Sequence, residues 1–343
     1  MLVWRVRKSP VLLPGTFVPV LLALLASPMT RDAEACACGC GVFDVGASTL
    51  LPVESESGLS LWLRVSYMDQ NQNWEGDSKA PAADNSDKAI KSSFYTLGVH
   101  YMIDRSWTLM AELPAYSRSL TTTDDGTVFG PAGSIYTAHL TDLGDFQLTG
   151  LYTGFSPDLS TGLGLGVKLP TGNYTGPTGP LGGAEFDRDS LPGTGSTDLI
   201  VAAYHIGGLN PSRSLAYFVQ ARYQLPTFTR NAYRPGSELD GAAGLSYSFH
   251  AFGPLDNIAP VLQVIGSDRG SDSGANADPL NSGYRRLLAA IGVELRVRKL
   301  RLYADVELPF YQHTDAAASV ASEGTSGQLV ASALFRSQLE YDF

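Results

Sequence analysis

The chain is written in a two-residue period. Its last stretch, Gly327 to Phe343, puts Phe343, Tyr341, Leu339, Phe335, Ala333, Ala331 and Leu329 on one face and Asp342, Glu340, Gln338, Arg336 and Ser332 on the other. Successive strand residues point to opposite sides, so this predicts a β-strand with one apolar and one polar face. The alternation recurs with Leu59, Leu61, Leu63, Val65 and Tyr67 outward against Ser60, Trp62, Arg64 and Ser66 inward. It recurs again at 95–103 and 107–113, and strands are predicted at 145–155, 159–169, 197–206, 213–225, 239–249, 257–266, 285–297, 299–312 and 327–343. The connections alternate too. Tight ones fall at Asp104-Arg105, Ser156-Pro157-Asp158, 207–212, 251–256 and Arg298-Lys299, and long polar ones at 69–92, 119–144, 171–196, 226–238, 267–284 and 313–326.

About twelve strands near the ~9–11 residues of a tilted span, with loops sorted by length, predict an all-β fold: a transmembrane antiparallel up-and-down β-barrel. Its apolar face meets outer-membrane lipid, its polar face lines a lumen, and the last strand closes the sheet so that no edge is left. A soluble sandwich has no reason to sort its loops in this way. Both termini fall with the short turns, which on bacterial barrels face the periplasm. Trp107, Tyr67, Tyr101, Tyr217, Tyr223, Phe249, Tyr341 and Phe343 stand near strand ends, where aromatic girdles belong.

Composition narrows the reading. The 343 residues include 36 Gly, 16 Tyr and 14 Phe, only 17% are charged, and the net charge of −10 disfavours a nucleic-acid partner. Beyond the N-terminus there is no apolar run of roughly 18 residues, which excludes a helical membrane protein. Val11 to Ala26 is that one apolar block, preceded by Arg5, Arg7 and Lys8 and followed by Ala33-Glu34-Ala35. This is the plan of a secretory signal. The expected organisation is a cleaved signal peptide over 1–35, a periplasmic Cys-rich segment over 36–57 and the barrel over 58–343.

Charges on the inward face must meet water or one another. Arg64, His100, Glu112, Lys168, Arg222, Arg286, Asp305 and Glu307 are the candidate solute contacts; Glu294, Arg296, Arg301, Arg336 and Glu340 share that face. Two readings stay open: the charges zip a narrow lumen shut, or they line a solute path. Gly162, Gly164 and Gly166 bare one wall, leaving room for a flat ligand or for an inserted segment. Asp268, Asp272 and Asp278 lack calcium-loop spacing and are expected in a solvated loop.

The blocks Asp142-Leu143-Gly144-Asp145-Phe146 and Gly166-Val167-Lys168-Leu169-Pro170-Thr171-Gly172 open and close successive strands. With Gly193-Thr194-Gly195-Ser196-Thr197-Asp198-Leu199, Val306-Glu307-Leu308-Pro309-Phe310-Tyr311-Gln312 and Gly327-Gln328-Leu329, they resemble the motifs of the MetA-pathway phenol-degradation outer-membrane family over roughly 95–343. The resemblance implies a barrel that transports hydrophobic or aromatic compounds, and it brings no catalytic residues.

Cys36, Cys38 and Cys40 lie outside that resemblance. Cysteines at alternate positions point the same way, and Gly39 and Gly41 let the chain curl so that three sulfurs converge on a soft ion, copper(I) or zinc. Disulfide formation and acylation of Cys36 are the alternatives. The leading function is a channel or transporter for a small hydrophobic or aromatic solute. The alternative is a barrel-anchored copper-binding protein, or one that docks a periplasmic electron carrier. An outer-membrane hydrolase would need a Ser and a His paired on the lipid-facing wall, which no strand shows, so no enzyme is expected.

Overall fold

The computed structural model describes residues 58–123, 131–175, 186–253, 255–279, 282–316 and 327–343. The signal peptide, the segment 36–57 and its three cysteines lie outside the described residues. In chain order the strands are β1 (Gly58–Glu75), β2 (Ser78–Lys79), β3 (Asp87–Met102), β4 (Trp107–Thr123), β5 (Ile135–Leu143), β6 (Phe146–Tyr152), β7 (Thr161–Leu169) and β8 (Thr197–Gly208). Then come β9 (Leu215–Phe228), β10 (Glu238–Tyr247), β11 (Phe249–Phe252), β12 (Leu255–Arg269), β13 (Tyr284–Val297), β14 (Leu300–Thr314) and β15 (Gln328–Asp342).

Each strand pairs antiparallel with its neighbours in sequence, and β1 pairs β15, so the sheet closes on itself. Segment β2 is a two-residue hairpin on β1. Segments β5 and β6 both pair β4, and β10 and β11 both pair β12, each couple making one interrupted strand. Twelve strands remain, as the alternation predicts. At the seam Ser60 Oγ donates to Asp342 Oδ1 at 2.7 Å, and the Phe343 amide donates to the Leu59 carbonyl at 2.9 Å.

The outer wall is an apolar belt. Leu63, Leu339, Leu302 and Leu295 stand in register across four strands, and Leu97, Leu165, Val201 and Leu262 are exposed on others. A belt of this kind is stable only in hydrocarbon. From Leu59 to Tyr67 at ~3.3 Å per residue and a ~40° tilt it is roughly 20 Å tall. Above Tyr67, the cross-strand pair Asp69 and Lys91 at 4.0 Å marks where the wall meets water. At the short-turn end Trp107 lies on Tyr152 and Tyr341 on Phe343, with ring centroids 4.8 and 5.0 Å apart.

Three expectations are corrected. The long connections are shorter than predicted, because β1 runs on to Glu75, β3 starts at Asp87, and β4 and β5 occupy much of 119–144; above the belt both faces of a strand are wet, so the apolar alternation stops before the strand does. In β15 the pairing shifts between Met68↔Leu334 and Gln70↔Ala331. This bulge turns Leu329 and Ala331, expected outside, into the lumen and leaves Ser332 exposed. Asp272 is not solvated: it accepts from Tyr233 Oη at 2.6 Å, the Gly236 amide at 2.7 Å and Arg269 at 2.5 Å, knotting two loops together.

Candidate functional site

The site is the lumen, and its side chains form layers along the barrel axis. At the short-turn end Trp62 Nε1 donates to His100 Nε2 at 3.1 Å. The Trp62 ring lies against the backbone of Gly98, where a Cβ would collide with it. The bare wall of β7 is filled in the same way: Tyr204 covers Gly162, while Thr149 and Ala202 crowd Gly164 and Gly166. The flat-ligand and inserted-segment readings of those glycines are therefore both wrong; cross-strand neighbours occupy the space.

The middle layer is charged and tightly paired. Glu307 and Arg336 pair at 2.9 Å with neither side chain exposed. Asp305 accepts from Tyr303 Oη at 2.8 Å and Gln263 Nε2 at 3.0 Å. Arg286 stacks on the Tyr284 ring at 3.8 Å and Arg64 on Trp62 at 5.1 Å. Strand register explains the grouping, since Asp305 faces Arg336 and Arg286 faces Gln312 on adjacent strands. At this level the charges meet one another, as the first of the two readings expects, without deciding between them.

Above it lies a chamber of about 160 Å³. Arg64, Glu112, Lys168 and Arg222 from the predicted set line it, with Arg118, Asp145, Gln147, Gln224 and Asp240. Arg222 donates to Gln147 at 2.7 Å and to Gln224 at 2.9 Å, with Asp240 at 3.9 Å. Gln224 in turn donates to Asp198 at 2.6 Å. Leu191 and Pro192, from the connection between β7 and β8, cap the chamber. Leu191 and Phe186 reach into an apolar cluster with Phe94, Leu120, Leu140 and Leu329 inside the barrel.

One junction holds that connection in place. Lys168 lies 2.8 Å from Asp198 and 3.2 Å from Asp145. Asp145 accepts from the amides of Gly172 at 3.0 Å and Thr194 at 2.9 Å, and from the Thr194 hydroxyl at 2.7 Å. Asn173 donates to Asp142 at 3.0 Å. Gly144, Gly172 and Gly193 meet backbone to backbone with no room for a side chain. Three of the motifs that carried the family resemblance thus converge where β5 ends and β6 begins.

All eight predicted contacts face the lumen: four line the chamber, Arg286 stacks on the chamber residue Tyr284, Asp305 and Glu307 belong to the paired charged layer, and His100 is bonded to Trp62. Arg118, whose guanidinium contacts the Ser190 carbonyl and stacks over Phe94 and Tyr116 at 5.5 and 5.4 Å, was missed. Its parity with Glu112 along β4 was the available signal. On the outer wall Thr161 Oγ1 lies 2.8 Å from His205 Nδ1, and His205 Nε2 lies 3.0 Å from Tyr217 Oη, a histidine with hydroxyls but no serine. Among the described residues no three His, Cys, Asp or Glu side chains gather as a metal site.

No family model matches the sequence, and no curated protein matches it. Solved structures do. An outer membrane channel from Pseudomonas putida F1 superposes with a TM-score of 0.59 at 12% identity, over 88% of this chain and 100% of that one. Looser likenesses are a Pseudomonas aeruginosa FadL homologue (TM-score 0.41, 12% identity, 83% and 90% covered) and CymD, a monoaromatic hydrocarbon channel (0.42, 10%, 84% and 90%). The first establishes the fold as an outer-membrane-type barrel; the other two are too loose to bear on it.

Proposed function

We propose that this chain is an outer-membrane channel that passes a small solute, about one ring in size, through its lumen. The observation that carries the reading is the chamber of about 160 Å³ inside the barrel, lined by Arg64, Glu112, Lys168 and Arg222 and bordered by Leu191 and Pro192. A barrel serving only as a structural wall has no need of a polar recess in its lumen. The motifs imply a hydrophobic or aromatic class; the apolar cluster around Phe94 and Leu191 offers a surface to the face of a ring, and the charged lining sets what its edge must carry. The proposed organisation keeps residues 1–35 as a cleaved signal and 36–57 in the periplasm with the short turns, so solute enters from the long-loop end. Purified protein inserted in planar bilayers is expected to conduct, and proteoliposomes to admit small solutes. Inserted protein that does neither would sink the proposal.

A further inference from the structure

Resting on that reading, we infer that the chamber takes a single ring that is uncharged overall and carries several hydroxyl groups, and that it rejects hydrocarbons of equal size. Size comes first: an engineered cavity of ~150 Å³ holds benzene, so a chamber of about 160 Å³ admits one six-membered ring. The lining then decides which ring.

Arg64, Arg118, Lys168, Arg222 and Arg269 supply five positive charges, and Glu112, Asp145, Asp189, Glu238 and Asp240 supply five negative ones. The signs balance, so a net charge on the solute gains from half the lining and is repelled by the other half. Both signs recur around the ring of strands: Arg64 on β1, Glu112 and Arg118 on β4, Lys168 on β7, Arg222 on β9 and Asp240 on β10. A hydrocarbon would exclude water from the bonding capacity that the protein partners of these groups leave over, and offer no hydrogen bond in return. Hydroxyls both donate and accept, so a ring bearing several of them can replace that water around its whole edge. Gln147 and Gln224 add amides of the same dual character. The flat side of the ring finds Phe94, Tyr116, Pro114 and Leu191. Two sources offer this edge chemistry, an alicyclic polyol and a polyhydroxylated benzene.

The test is calorimetric titration of the full-length protein in detergent with myo-inositol, phloroglucinol, benzene and benzoate. At least one of the first two is expected to bind one per chain, and whichever does names the source. Benzene and benzoate are expected to be at least about tenfold weaker, because a site built to bond hydroxyls rejects analogues without them. Glu112→Ala should weaken the polyhydroxylated ring, and Lys91→Ala, on the outer wall, should not. If Glu112→Ala does not fold, Gln147→Ala carries the same comparison. Binding of benzene or benzoate as tight as that of the hydroxylated rings, or no binding of either hydroxylated ring, overturns the inference. Conductance of the same preparation separates the two proposals: a conducting protein that binds no hydroxylated ring defeats only this inference, and a binding protein that does not conduct defeats only the channel.

Discussion

Lys168 is nearly enclosed, with 5% of its side chain exposed, between two carboxylates on separate parts of the chain. Replacing it by Met leaves Asp145 and Asp198 buried without their cation, so Lys168→Met is expected to destabilise the barrel by about 3–5 kcal/mol. Urea unfolding followed by gel mobility would show it, and an unchanged midpoint would mean the junction carries little stability. The inward position of Lys168 was legible from the alternation alone. Its partners were not, because Asp145 and Asp198 reach it across strands that periodicity does not align. A second residue pair lies outside the membrane belt. His313 Nδ1 contacts Asp77 at 2.8 Å, and its other nitrogen lies 3.3 Å from Asp315. The hydrogen bond to His313 holds the Asp77 carboxyl below its ordinary range. A depressed carboxylate adds stability above its unfolded pKa of ~3.9 and loses that contribution as pH falls through the folded value. In His313→Ala the Asp77 titration, read by NMR, should move up toward ~3.9. Global stability should barely change, since Asp77 is largely exposed and the pair is screened.

The connection between β7 and β8 is the element on which chamber access turns. Its descent into the lumen depends on Gly193 lying against Gly172 and Gly144. A methyl at 193 has only backbone to push against, which cannot yield as a flexible side chain can. Gly193→Ala is therefore expected to lift Leu191 and Pro192 off the chamber, raising conductance and exposing the 186–196 stretch to protease. Equal conductance and equal cleavage would show that the cap is held elsewhere. The sequence announced this connection as a long polar loop and its glycines as strand-end residues. Nothing in a two-residue period says that a loop folds inward, because Phe186 and Leu191 are isolated apolar residues in irregular backbone. The same limit explains β15: below Leu334 the period holds, and above it two register shifts against β1 leave Leu329 and Ala331 facing inward.

Across the whole barrel the outer wall sorts substitutions by depth. Leu339 sits in mid-belt, where Leu339→Arg is expected to destabilise by ~2–4 kcal/mol. Thr137 stands on β5 above the belt, exposed and paired with Thr121, and Thr137→Arg should fall within ~0–1 kcal/mol. Parallel unfolding of the two variants in lipid vesicles measures the difference, and equal losses would contradict the assignment of the belt. Fold and wall were readable because lipid imposes one rule on every strand, whereas the lumen imposes none, and each inner layer follows from which residues happen to oppose one another. The seam has its own consequence in time. Ser60 bonds Asp342 across 282 positions, so the first strand to leave the ribosome waits for the last. Until then every intermediate carries two unpaired strand edges, the kind of surface that recruits other chains. Closure is thus expected to be the slow and aggregation-prone event of assembly, and the journey to the membrane is one that this polypeptide must make while escorted.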